Sequence, residues 1–318
     1  MHDSDEPLER GFAPTIITDP ELRARTKDSL RRVMESCGVF PGDPARTQEL
    51  LGLIDTYQRF TCPARVDEES LLVGAIYGVV IFLHGVGILT GDYLELTAEQ
   101  FERCLRTGRA AGPEGSVSAR LLAELGRRLQ GRCPPPEAWR RFVDTATRTY
   151  RAFPEKRARV VSGRTESWPE YERNRAHRIA IFPWVWLWVA LDELSLPVLR
   201  PRDPRLAELL ALTNRITYLR NDIVTLRRDV HDGLDNTVLH LEREHGCDRE
   251  RALAIAKART NDELRRFMVV AKEVAASPKE YPRAEEYLGF LGSLLAGNLL
   301  ALEAFGRTQY VERDTLAS

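Results

Sequence analysis

Apolar residues recur along most of the chain at spacings of three and four, the mark of helices with one buried face, and no stretch alternates convincingly with period two. The pattern predicts helices over Pro20–Cys37, Pro44–Arg59, Glu68–Ile88, Thr97–Arg106, Val117–Leu129 and Pro136–Arg151. It predicts further helices over Trp168–Ile179, Trp184–Leu194, Pro204 to about Asp232, Asp248–Val274 and Ala284–Phe305. Proline-rich breaks stand between some of them: CPPPE at 133–137, SLPVLRPRDP at 195–204 and ASPKEYP at 276–282. There is no internal repeat, and no linker divides two composition types. The expectation is an all-α fold: a single-domain helical bundle over residues 1–318 with short connections, opened by a flexible segment at 1–19.

Composition narrows the function. Hydrophobic residues are 43% of 318, enough for a sizeable core. Lys+Arg 46 against Asp+Glu 47 leaves a net charge of -1, without the basic excess that nucleic-acid binding wants, so no nucleic-acid partner is expected. The five cysteines are scattered and form no CxxC pair, which fits thiols in a reducing cytoplasm. The start, MHDSDEPLERGF, is acidic and unlike a signal peptide. The most apolar run, Leu71–Leu83, falls short of the roughly 20 residues a membrane span needs and reads as a buried helix. A cytoplasmic protein without a membrane span is expected.

Several familiar chemistries are absent: no Gly-rich phosphate loop, no HExxH and no nucleophile elbow. His240 and His245 are the one weak pairing of histidines, and a solvated helix end accounts for them. The informative segment is Tyr218–Val238, YLRNDIVTLRRDVHDGLDNTV. Asn221, Thr225 and Asp229 stand one turn apart on one helix face. They offer an amide carbonyl, a hydroxyl and a carboxylate, all hard oxygen donors of the kind Mg²⁺ takes while keeping other positions open for phosphate oxygens. Arg228 stands beside Asp229, suited to neutralising phosphate charge.

Residues 221–229, NDIVTLRRD, resemble the second metal motif of the class I terpene synthases, especially the bacterial ones, and Asn236-Thr237-Val238 matches the Asn-x-Val that follows it there. Arg175, 46 positions before Asn221, matches the family's diphosphate-sensing arginine. The family's helix break and effector position then fall near Arg178–Ile179 and Pro183. Near the C-terminus Arg307 stands where the family has an Arg-Tyr pair on the diphosphate; Thr308 replaces the tyrosine, and Tyr310 lies two residues on. The resemblance covers the chain from about residue 68 to Tyr310. It implies the class I terpenoid synthase fold and a prenyl diphosphate substrate. It implies up to three Mg²⁺ held in part by Asn221, Thr225 and Asp229, and arginines Arg175, Arg228 and Arg307 on the leaving group. Phe82, Phe182, Trp184 and Trp188, with Tyr77, would then be aromatic faces toward a carbocation, Tyr310 a further substrate contact, and a homodimer a candidate assembly. Plain core packing is the competing account of each aromatic.

One departure stands out. The family's aspartate-rich first motif should end the apolar helix near residue 84, where this chain reads Ile81-Phe82-Leu83-His84-Gly85. The nearest acids, Asp92 and Glu95, lie 8 and 11 residues past His84, and eight residues is about 12 Å along a helix. Three accounts stay open: Asp92 and Glu95 as a displaced motif, ionisation with fewer metals, or loss of prenyl diphosphate ionisation, leaving a protein that binds a prenyl or related ligand or acts on an unusual substrate. A non-standard but active enzyme is favoured, because the whole second motif and Arg175 remain. A prenyltransferase fits less well, since its two aspartate-rich motifs are both missing. His84 reads as a hydrogen-bonded core residue.

Overall fold

The computed structural model describes residues 16–63, 65–85, 96–191 and 203–309, and among them it has twelve α-helices and no strand. Their contacts group into two compact units. Among the described residues the first takes in 16–158 and 180–191, and the second takes in 159–179 and 203–309.

The first unit holds α1 (Pro20–Cys37), α2 (Pro44–Thr61), α3 (Glu68–Gly85), α4 (Ala98–Thr107), α5 (Val117–Gly131), most of α6 (Pro136–Ser162) and α8 (Ile181–Ala190). Helix α3 packs on α1, α2 and α5, and α4 packs on α5. Leu71, Val73, Ile76, Tyr77 and Val79 are all buried, so α3 has no solvent face, which is why its sequence has no polar stripe. No helix among the described residues is long and apolar enough to cross a membrane. Gly74 admits a neighbour: a Cβ there would lie 2.7 Å from Cη2 of the buried Trp188. Local signals set the ends. Asp19 caps α1 by accepting from the N–H of Glu21 and Leu22 at 2.9 and 3.0 Å, with Pro20 in the first turn, and α4 opens on a Thr97–Gln100 capping box.

The second unit holds the end of α6, α7 (Trp168–Arg178), α9 (Pro204–His231), α10 (Thr237–His245), α11 (Arg249–Ala275) and α12 (Ala284–Gln309). Helix α9 is its axis, packed by α11, α12, α10 and α7. It is capped by Asp203, with Pro204 following, and runs unbroken through residues 221–229.

Most predicted helices are present within a residue or two; α8 ends at Ala190 rather than Leu194, α12 runs to Gln309 rather than Phe305, and 86–88 of the expected α3 lie outside the described residues. Helix α6 continues past the expected end at Arg151, through Pro154, to Ser162; proline removes one backbone bond, and here the helix tolerates it. Helix α8 starts at Ile181 rather than Trp184, because Pro183 sits in the first turn, where an N–H is unpaired anyway. Helix α10 was not expected at all: Asn236 caps it and Gly246, at φ 56°, closes it. His240 therefore does not belong to a solvated end. It is buried inside α10, while His245 is exposed at its last turn. In the segment expected to be flexible, Ile17 is buried and its N–H donates to the Arg59 carbonyl at 3.0 Å; residues 1–15 lie outside the described residues.

Candidate active site

The 3.6-residue period of α9 sends three consecutive side chains three ways. Arg220 donates to the Leu295 carbonyl on α12 at 2.8 Å. Asn221 Oδ1 accepts from the Arg175 guanidinium at 2.7 Å. Asp222 is buried and accepts on both oxygens. Its Oδ1 takes Arg175 Nε at 2.9 Å. Its Oδ2 takes the Tyr171 hydroxyl in a short hydrogen bond, the Thr237 hydroxyl at 2.6 Å and the Thr237 N–H at 3.1 Å. One guanidinium on α7 thus spans two neighbouring residues of α9. Burial works against the charge on Arg175, but Asp222 beside it raises its pKa above the ordinary arginine value. Burial, reinforced by Asp222, pushes the Tyr171 phenol well up, so it stays protonated and donates.

One and two turns further on, Thr225 and Asp229 are both buried, and the Thr225 hydroxyl donates to Asp229 Oδ2 at 2.6 Å. The Asn236 amide donates to the same oxygen at 2.9 Å and to the Asp222 carbonyl at 2.8 Å. Arg228 donates to Asp229 Oδ1 from Nε and NH2, at 3.2 and 2.9 Å. Asn221, Thr225, Asp229, Arg175 and Arg228 therefore form one connected set with Asp222 and Asn236. Asp222, Tyr171 and Thr237 were not singled out from the sequence. Asp222 lies inside the matched motif, yet a carboxylate directed inward looks like any other acid on a helix.

The donor set is amide, hydroxyl and carboxylate oxygen, which suits a hard divalent cation. Among the described residues no three His, Cys, Asp or Glu side chains gather to hold a metal. A cation here would lean on the neutral oxygens of Asn221 and Thr225 as well as on Asp229, and the residues present fit Mg²⁺ in that form.

A second buried cluster lies where α7 ends. Arg178 donates to both oxygens of Glu166, at 2.9 and 2.5 Å, and Arg159 approaches the same carboxylate at 3.0 Å. Burial opposes the Glu166 charge, but the Arg178 hydrogen bonds hold its carboxyl below the usual range. The chain breaks directly after it: α7 ends at Arg178, and Ala180 takes the left-handed conformation at φ 62°. That is where the sequence placed the helix break.

In the first unit, Tyr57 joins Phe82 and Trp184, with ring centroids 6.0 and 5.1 Å away. Trp184 meets Trp188 edge-on at 5.5 Å, and its indole N–H donates to the Thr61 carbonyl at 3.0 Å. Phe82, Trp184 and Trp188 are core residues of that unit; Tyr57 and Phe182, the latter in the first turn of α8, are half-buried. His84 is buried, with Nδ1 2.6 Å from the Val80 carbonyl and Nε2 3.0 Å from the Ser118 hydroxyl. The carbonyl requires the proton on Nδ1, and His84 is a hydrogen-bonded core residue as expected. Asp92, Glu95 and Tyr310 lie outside the described residues, as does the side chain of Arg307, whose backbone is in α12.

A family model described as "Terpene synthase family 2, C-terminal metal binding" matches residues 90–266. No curated protein matches the chain. Solved structures share the fold at low identity. A linalool/nerolidol synthase from Streptomyces clavuligerus is 15% identical with a TM-score of 0.77, over 93% of this chain and 98% of that one. A cucumene synthase variant is 19% identical with a TM-score of 0.69, over 92% and 96%. A protein from ancestral sequence reconstruction is 18% identical with a TM-score of 0.76, over 92% and 88%.

Proposed function

Since the chain belongs to terpene synthase family 2, with its C-terminal metal-binding region, we propose that it is a carbon–oxygen lyase that ionises a prenyl diphosphate with Mg²⁺ and cyclises or rearranges the resulting carbocation. The observation that carries the reading is the α9 face on which Asn221, Thr225 and Asp229 align, with Arg175 bonded to its first member. The linalool/nerolidol synthase that shares the fold has been solved with 2-fluorogeranyl diphosphate, which supports a prenyl diphosphate as the ligand class.

In this mechanism Asn221, Thr225 and Asp229 would hold the cation through their oxygens. When bound, Mg²⁺ supplies a positive charge that stabilises the departing diphosphate. Arg175 and Arg228 bind and orient that diphosphate and hold charge-assisted hydrogen bonds to its oxygens as the allylic C–O bond breaks; Arg307 adds a third guanidinium. By the family resemblance Phe82, Phe182, Trp184 and Trp188 are the candidate π faces for the carbocation and Tyr310 a further contact, with core packing as the competing role of the buried Phe82, Trp184 and Trp188. Both ring nitrogens of His84 are engaged by Val80 and Ser118, which supports an ionisation that leans on α9 and the arginines rather than on the end of α3. Asp92 and Glu95 are the alternative source of carboxylates. A chain that binds the prenyl ligand without ionising it is the second reading, favoured by the same missing acid at position 84.

Incubation of the purified chain with geranyl, farnesyl and geranylgeranyl diphosphates, with and without Mg²⁺, separates these. Mg²⁺-dependent diphosphate release together with an extracted terpene from one chain length is the expected result. Tight binding of a prenyl diphosphate with no release from any of the three would overturn the lyase reading in favour of the second.

A further inference from the structure

The hydrogen bonds around Arg175 divide into a fixed part and an exchangeable part. Asp222 is the fixed part: Tyr171 and both donors of Thr237 hold its second oxygen, and its side chain is only 2% exposed. Asn221 is the exchangeable part. It is less buried, and its Oδ1 accepts from Arg175 NH2 at 2.7 Å. That oxygen is also the one the proposed function gives to the cation. A guanidinium and a divalent cation on one amide oxygen place like charges within a few ångströms of each other, in a largely buried setting where screening is weak.

We propose that Arg175 is an intramolecular competitor for the metal site: in the unloaded chain it occupies the Asn221 oxygen, and a divalent cation displaces it. The inference rests on the reading of Asn221 as a cation ligand. Displacement breaks the NH2 contact to Asn221 and loosens the 2.8 Å approach of the same NH2 to Asp222 Oδ1. Asp222 keeps Nε, so the guanidinium turns about that anchor with a donor edge exposed to whatever anion accompanies the metal. Cation and diphosphate binding then couple through one side chain, each favouring the arrangement the other needs.

The test is a titration of the full chain with Mn²⁺ alone, without substrate, followed by the electron paramagnetic resonance of the remaining aqueous ion. Three variants are compared with the parent chain: Arg175→Lys, Arg175→Gln and Asn221→Ala. Arg175→Lys retains the positive charge and its pairing with Asp222 but has a single nitrogen, unlike the two-pronged fork that spans Asn221 and Asp222. The expected result is Mn²⁺ binding about tenfold tighter in Arg175→Lys and in Arg175→Gln, and at least tenfold weaker in Asn221→Ala. Tighter binding in Arg175→Gln alone, with Arg175→Lys at the parent affinity, would mean a general charge effect and would overturn the competition. Unchanged Mn²⁺ affinity in Asn221→Ala would overturn the metal reading itself, a failure distinct from the first because it is independent of Arg175.

Discussion

Asn236 and Asp229 are joined by a hydrogen bond of 2.9 Å that ties the cap of α10 to the far end of the α9 site. The same side chain accepts from the Val238 N–H at 2.9 Å and so starts α10. One amide thus caps α10 and, together with Thr225 and Arg228, holds the one carboxylate in the α9 donor set. This gives Asn236 a structural reason to stand seven residues after Asp229. Replacing Asp229 by Asn preserves its size and its bond from Thr225 while removing its charge. The expected outcome is an intact circular dichroism spectrum with Mg²⁺-dependent diphosphate release lowered about 100-fold or more.

Asp222 behaves differently. Its substitution by Ala strands the buried Arg175 charge together with Tyr171 and Thr237. Loss of one partner of a buried pair costs about 3–5 kcal/mol, to be read from urea denaturation. Asp222→Asn, which retains an acceptor for Thr237, is expected to cost clearly less.

Acid stability has a separate source. Burial opposes the charge on Asp235, but His240, with Nε2 3.4 Å away, and a hydrogen bond from Arg243 at 3.1 Å bring its carboxyl down to about 2. A depressed carboxylate adds stability that is fully present above its unfolded value near 3.9 and is lost as pH falls through the folded value. The stability difference between the parent chain and Asp235→Asn should therefore be constant above about pH 4. It should shrink between about pH 4 and pH 2 by about 2 kcal/mol in all, measured as urea midpoints across that range.

Gly74 and Trp188 supply a packing test. A methyl group at 74 would meet the Trp188 ring at 2.7 and 2.8 Å, and that ring is wholly buried. Gly74→Ala is expected to cost about 1–3 kcal/mol through overpacking. Gly74→Ala with Trp188→Phe should recover part of that loss, whereas simple addition of the two single effects would show that the residues do not crowd each other.

The all-helical fold was legible because its helices carry strong periodicity and explicit end signals, such as Asp19-Pro20 and Asp203-Pro204. Helix α10 was missed because nine residues hold too few apolar positions for periodicity to register, although Asn236 and Gly246 mark both its ends. The α9 oxygen face was legible because i, i+4 spacing alone decides it. Its supporting partners were not: that Asp222 turns inward to Tyr171 and Thr237 depends on which side of α9 meets α7 and α10, and this is a tertiary property. The Glu166–Arg178–Arg159 cluster was invisible for the same reason, since three charged residues spread over twenty positions look like ordinary surface.

The divergent contacts of Arg220, Asn221 and Asp222 have a consequence for the kinds of change this chain tolerates. Anchored in three directions within one turn, α9 is locked in rotational phase as well as in position. Inserting or deleting one residue between Pro204 and Arg220 would turn everything downstream by about 100°. All three anchors would be lost together, even though every residue of NDIVTLRRD remained. Length variation in this protein should therefore be found in its connections, and within α9 only in steps that restore the helical phase.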